Sequence, residues 1–258
     1  MEIPMLAGSE VPSVTTEQMI EVDRAMMEDY RIELIQMMEN AGRNLAHLAR
    51  MRFLNGHPAG KAIAVLAGSG GNGGGALVCA RRLSNWGANV RVFITKSDDA
   101  FTPIPAHQLD ILHRMDVPVE AANAVSQLNG PDLIVDGIIG YSLRGAPRGT
   151  AADLIRWANG QPAPVLSLDV PSGVDNTSGT VFNPAIRAAA TMTLALPKAG
   201  LRTSDAAANV GELYLADIGV PPALYAEPTI QLKVGAIFAR SEIIRLSQED
   251  KKPVHHSE

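Results

Sequence analysis

Residues 61–81 read KAIAVLAGSGGNGGGALVCAR: an apolar run, then eight positions (68–75) of which six are glycine, then a helix-forming run. Strand, glycine-rich turn and helix in that order open a βαβ unit, which confines the chain to folds built on a parallel sheet. The rhythm recurs. VRVFITK, PDLIVDGIIG, PVLSLDVPSG, AATMTLAL and GELYLADIG read as further strands. GALVCARRLSNWGA, PAHQLDILHRMD, the short NAVSQLN and TAADLIRWANG read as helices, the last with Thr150 at its N-cap. Strands that are apolar along their whole length need cover on both faces. The expected fold is therefore α/β, a Rossmann-like three-layer αβα sandwich with a mostly parallel sheet and right-handed crossovers.

A helix pair precedes this pattern. Thr15 and Gln18 have capping-box spacing, and Met19, Val22 and Met26 follow at helical intervals. In the second run Leu34, Met38, Ala41, Leu45 and Leu48 form one stripe. The methionines of this pair (Met19, Met26, Met27, Met37, Met38) suit either a core or a dimer face. With 258 residues, and neither internal repeat nor low-complexity linker, the economical reading is a single domain over 1–258. Its core is expected over about 15–240, followed by the polar tail QEDKKPVHHSE. His255 and His256 in that tail read as frayed chain or as a metal-binding pair.

Composition removes several classes of function. Hydrophobic residues make up 46% and charged ones 19%, too apolar for a disordered chain. The net charge of −5 argues against a broad nucleic-acid face. A single cysteine, Cys79, allows no internal disulfide or Cys-based zinc site. Neither a membrane span nor a signal peptide is legible, so a cytoplasmic location is expected.

Ligands of open α/β sheets bind beyond the carboxyl ends of the strands, and three strand ends here carry unusual residues. The first is the glycine-rich turn, where Gly68, Gly70 and Gly73 satisfy G-x-G-x-x-G. Such a turn brings backbone N–H groups and a helix N-terminus up to a phosphate; its plain alternative is a tight turn without a ligand. The next strand ends in Lys96 rather than the acid that would hold ribose hydroxyls, which argues against an ordinary NAD dehydrogenase. Lys96 read plainly is a solvated strand-end lysine. The second site is Asp136, set in an apolar strand, with a flexible loop over Gly140–Gly145. Its carboxylate needs a partner, a cation or a proton, and could simply cap local backbone. The third is Asp169 before Pro171, Ser172 and Gly173, where an Asx turn is the plain reading. The pattern P-S-G is not a G-x-S-x-G elbow, so a serine hydrolase is disfavoured. Asn72, Asp136 and Ser172 converge on one rim if the sheet is as read. Their all-oxygen set suits a hard monovalent cation.

Six blocks in order, from about Met19 to Pro221, resemble the YjeF N-terminal domain family: IELIQMMENAGRNLA, AGSGGNGGGALVCARRL, LIVDGIIG, LDVPSGVDNTSG, LALPKAGL and GELYLADIGVP. The resemblance implies an NAD(P)HX epimerase, which interconverts the R and S forms of hydrated NADH or NADPH at C6 of the nicotinamide ring. It implies a form acting beside a separate dehydratase, because no fused dehydratase domain is visible in this chain. It implies one K+ per chain, held by Asn72, Asp136 and Ser172. Two substrate loops follow from it, Gly71, Asn72, Gly73, Gly74 and Gly75, and Gly140, Tyr141, Ser142, Leu143, Arg144, Gly145 and Ala146. Asp169 is implied as a further substrate contact, Asp136 and Lys96 as catalytic positions, and Glu39 and Asn40 as lining the site. The loop departs from the family pattern: Gly71 stands for the first Asn, Gly75 for the Asp and Ala76 for the following Gly. On this reading either Asp136 or Asp169 moves the proton at the C6 hydroxyl while the other steadies the cation. The competing readings are a binding or scaffold module that has lost activity, and a nicotinamide-dependent dehydrogenase.

Overall fold

The computed structural model describes residues 3–128 and 130–247; the tail 248–258, with His255 and His256, lies outside the described residues. The strands are β1 (Met5–Ala7), β2 (Ala62–Ala67), β3 (Asn89–Ile94), β4 (Val119–Ala121), β5 (Leu133–Gly137), β6 (Val165–Leu168), β7 (Ala190–Leu194), β8 (Glu212–Ala216) and β9 (Ile243–Ser247). They form one sheet in the order β1-β9-β8-β7-β6-β5-β2-β3-β4. Every pairing is parallel except β8 with β9. The helices are α1 (Thr16–Glu28), α2 (Leu34–Arg52), α3 (Gly71–Asn85), α4 (Pro103–Arg114), α5 (Gly149–Asn159), α6 (Ala207–Val210) and α7 (Pro222–Tyr225). Among the described residues no helix is long and apolar enough to cross a membrane.

The period-2 side-chain alternation of a strand explains the three layers. In β2, Ile63 and Val65 face a core shared with Leu45 and Leu48 of α2, Leu77 and Leu83 of α3, and Leu109 and Leu112 of α4. Ala64 and Leu66 face the opposite core, with Phe93 and with Leu154 and Ile155 of α5. A third cluster joins Met19, Val22 and Met26 of α1 to Leu213, Leu215 and Tyr225. Met19, Met26 and Met37 are buried in this cluster, Met38 is buried on α2, and Met27 is half-buried against the cluster.

The capping box on α1 is made in both directions: the Gln18 amide N–H donates to Thr15 Oγ1, and Gln18 Oε1 accepts from the Thr15 amide. Two expectations need correction. Arg148, not Thr150, is the N-cap of α5; Thr150 falls inside its first turn. The short strands β1 and β9 extend the sheet past both limits of the expected 15–240 core. Strand β4, of three residues, was also too short to register as a periodic run.

The strand order sets the position of the site. From β2 the chain steps outward to β3 and β4, then returns to the other side of β2 for β5 and continues to β6, β7 and β8. The reversal between β2 and β5 opens a crevice past their carboxyl ends. The glycine-rich turn leaves β2 on one side of it and the loop 138–148 leaves β5 on the other.

Candidate functional site

A cavity of about 620 Å³ occupies that crevice. On one wall is the β2–α3 turn, whose glycines divide by physical cause. A side chain at Gly73 would place its Cβ 1.8 Å from the Gly68 carbonyl oxygen, and one at Gly68 would meet the Ile138 carbonyl at 2.0 Å. Those two glycines are demanded by backbone packing. Gly70 and Gly71 face open space within 4 Å. No side chain caps α3, and its first residues, Gly71, Asn72 and Gly73, line the cavity, where this helix N-terminus favours an anion. Thr95 and Lys96 at the end of β3, and Arg148 and Thr150 at the start of α5, complete this end; Lys96 is exposed.

The other end is apolar with a polar floor. Met19, Leu34, Met37, Met38, Leu194 and Ile218 form the wall. Asp169, one residue beyond β6, has φ +64, a left-handed conformation that Asp and Asn adopt more readily than other residues with a Cβ. Its carboxylate forms a salt bridge with Lys198, the two being 4% and 1% exposed, and Asp169 Oδ1 also accepts from Thr193 Oγ1 and the Leu194 amide. Lys198 Nζ donates in addition to the Leu194 carbonyl at 2.9 Å. Nearby, Tyr141 Oη donates to Asp23 Oδ2 at 2.6 Å. Burial pushes the Asp23 carboxyl up, against the hydrogen bond from Tyr141. Burial, and then the Asp23 charge, push the Tyr141 phenol up as well.

Asp136 lies behind the cavity, not on its wall. The register explains this. Asp136 pairs with Leu66 on β2 and Ser167 on β6, in the middle of the sheet, and is fully buried. Four donors converge on it: Ser172 Oγ at 2.6 Å, Ser167 Oγ at 2.8 Å, and the amides of Ser172 at 2.9 Å and Ile138 at 3.2 Å. Burial pushes its carboxyl up, opposed by these four bonds. The network stitches the turn after β6 to the turn after β5, since Ser172 Oγ also accepts from the Ile139 amide at 2.9 Å.

This knot is the place where a cation would fit. Ser172 Oγ lies within hydrogen-bond reach of both Asp136 Oδ1, at 2.6 Å, and the Ile139 carbonyl, at 3.2 Å. Asn72 stands on the adjacent turn, its amide carbon 3.1 Å from where a Gly140 Cβ would be. Its Nδ2 is buried without a partner. The two heteroatoms of an amide exchange places on a flip, so the carboxamide can offer oxygen at that unpartnered position. One carboxylate with neutral oxygens matches a hard cation of low charge. Among the described residues no group of three or more His, Cys, Asp and Glu side chains is placed to hold a metal ion.

The profile of the family described as "YjeF-related protein N-terminus" matches residues 34–200. The chain belongs to this family. An NAD(P)H-hydrate epimerase of Dehalogenimonas lykanthroporepellens is 39% identical to it over 246 residues, 95% of this chain and 96% of that one. A bifunctional NAD(P)H-hydrate repair enzyme of Salinibacter ruber is 35% identical over 82% of this chain, which spans 41% of that longer protein. The crystal structure of a yeast protein has a TM-score of 0.77 and 28% identity, covering 92% of this chain and all of the yeast one.

The YjeF-related site gathers part of what the sequence singled out. Gly71, Asn72, Gly73, Gly75, Lys96, Gly140, Tyr141, Ser142 and Asp169 line the cavity. Asp136 and Ser172 form the knot behind it. Gly74, Leu143, Arg144, Gly145 and Ala146 are not on the cavity wall, and neither are Glu39 and Asn40. Glu39 pairs with Arg81 on α3 at 2.6 Å and accepts from Gln108 on α4, while Asn40 Nδ2 donates to the Ile218 carbonyl. The M-E-N-A-G segment is a packing landmark: a Cβ on Gly42 would meet the Gly75 carbonyl at 2.5 Å, so α2 and α3 touch backbone to backbone there. Two functional candidates escaped sequence reasoning, Lys198 and Asp23. Lys198 stood inside the LALPKAGL block and could have been found as the cation for a strand-end acid. Asp23 gave a weaker signal, an acid one residue from the buried Val22 in a methionine-rich stripe.

Proposed function

We propose that this chain is an NAD(P)H-hydrate epimerase, acting on the C6 centre of hydrated NADH or NADPH and feeding a separate stereospecific dehydratase. One observation carries the reading: a single cavity combines an uncapped helix N-terminus, suited to a pyrophosphate, with a buried Asp169–Lys198 pair at an apolar end, suited to a nicotinamide ring. The names of the relatives agree with it.

The chemistry follows from what inversion at C6 requires. That carbon carries a hydroxyl beside the ring nitrogen. A proton delivered to the hydroxyl lets it leave as water, and the nitrogen lone pair then forms an iminium cation. Water adding to the opposite face of C6 inverts the centre, and the proton returns to the protein. We assign proton transfer to the Asp169–Lys198 pair. Two of the three ammonium hydrogens of Lys198 are engaged, by Asp169 and Leu194, which leaves one for the cavity. The Asp169 carboxylate stabilises the cationic ring. Asp136, with its oxygens taken by four donors behind the wall, is a structural and ion-holding residue in this reading. Asn72, Asp136 and Ser172 would hold K+, whose charge would support anionic substrate groups at the turn. Lys96 and Arg148 at the rim attract the phosphates.

The test mixes the purified protein with the R epimer and an S-specific dehydratase, in potassium and then in tetramethylammonium buffer. Catalysed loss of the R epimer is the expected result, slower without potassium. Asp169→Asn should lose roughly 100-fold or more in rate while remaining folded, as removal of an acid–base group does. Loss of the R epimer no faster than spontaneous epimerisation would refute the function, and binding of intact NADPH without turnover would favour the scaffold reading.

A further inference from the structure

Asp23 is a half-buried acid that the mechanism above leaves unused. It lies on α1 beside Val22, which is fully buried, and lines the cavity. A carboxyl in such a place costs desolvation that an apolar residue would not. Its hydrogen-bond partner is the phenol of Tyr141, 118 residues away in sequence. The segment 140–147 makes this one hydrogen bond to the rest of the described structure; its other bond, Leu143 N to the Gly140 carbonyl, is internal. The ring of Tyr141 also packs against the cluster formed by α1 and Leu196. The loop that walls one side of the cavity is thus tied to the body of the fold at a single polar point.

We propose that Asp23 is a positioning residue for the epimerisation: it anchors Tyr141 and through it holds the start of the loop, Gly140, Tyr141 and Ser142, at the wall of the cavity. Its effect on turnover rests on the function proposed above, whereas its effect on the loop does not. Its role in this proposal is exerted through the loop it fixes. Asp23, Asp169 and Lys198 line the same cavity, so the anchor and the acid–base pair share one site.

The experiment compares Asp23→Ala, Asp23→Asn, Tyr141→Phe and the Asp23→Ala/Tyr141→Phe double variant. Each is measured for KM, kcat, melting temperature and the rate of tryptic cleavage after Arg144 and Arg148 in the free enzyme. Asp23→Ala and Tyr141→Phe should each raise KM about tenfold, as expected for one charge-assisted hydrogen bond, with kcat within about threefold of wild type. The double variant should be no worse than either single one, because both remove the same tie. Asp23→Asn keeps an oxygen that accepts from the phenol and should recover most of the loss. Cleavage should accelerate several-fold in the two single variants and much less in Asp23→Asn. Additive KM effects, or unchanged cleavage in Asp23→Ala, would overturn the proposal, as would a lower melting temperature with an unchanged KM. Should the wild type fail to epimerise, the proposed function falls while cleavage still decides the anchor.

Discussion

Lys198→Met isolates the contact on which the site depends. Lysine and methionine are similar in length and volume, so the substitution removes the ammonium while filling its space. Asp169 then stays 4% exposed with no cation beside it. Its remaining donors, Thr193 Oγ1 and the Leu194 amide, are at 3.3 Å and compensate little. Removing one partner of a buried ion pair costs roughly 3–5 kcal/mol. At about 2–4 °C per kcal/mol for a chain of this size, the melting temperature should fall by roughly 6–20 °C. The companion is Lys198→Met/Asp169→Asn. Asparagine tolerates the left-handed backbone and removes the orphaned charge, so the double variant should regain at least half of the loss. Calorimetry and urea unfolding at neutral pH would measure both. A Lys198→Met protein within about 1 kcal/mol of wild type, or a double variant as unstable as the single one, would show that the pair is not the buried, coupled unit described.

Three further outcomes follow from the same structure. Asp136→Asn turns one carboxylate oxygen into an NH2 that must face an N–H or O–H donor, and should cost about 2–4 kcal/mol in denaturant unfolding. Gly73→Ala forces a Cβ onto the Gly68 carbonyl and should cost roughly 3 kcal/mol or more, whereas Gly71→Asn enters open space and should change stability by less than about 1 kcal/mol. Glu212 is held at about 2, down from 4.5, chiefly by its hydrogen bond from Arg52. A depressed carboxyl stabilises the fold above its unfolded value and loses that contribution as pH falls, so stability measured from pH 4.5 down to 2 should decline less steeply in Glu212→Gln than in wild type.

The sequence by itself determined the layers and the place of the crevice. The apolar runs at Ala62–Ala67 and Leu133–Gly137 could bury both faces only in a sheet covered on both sides, and glycine repeats are readable because backbone approach excludes a Cβ. Asp136 and Asp169 were visible as acids for the same reason, since a carboxylate in an apolar run stands out. Their division of labour was not visible. Both end apolar strands, yet cross-strand register sets Asp136 against Ser167 inside the sheet, and a left-handed kink turns Asp169 toward Lys198. Glu39 and Asn40 show the converse, motif residues whose partners on α3 and beyond β8 draw them away from the cavity. Partners such as Lys198 for Asp169 and Asp23 for Tyr141 come from distant segments. Local patterning reports which residues are buried; only the folded chain decides which buried charges meet, because that depends on how separate elements are docked.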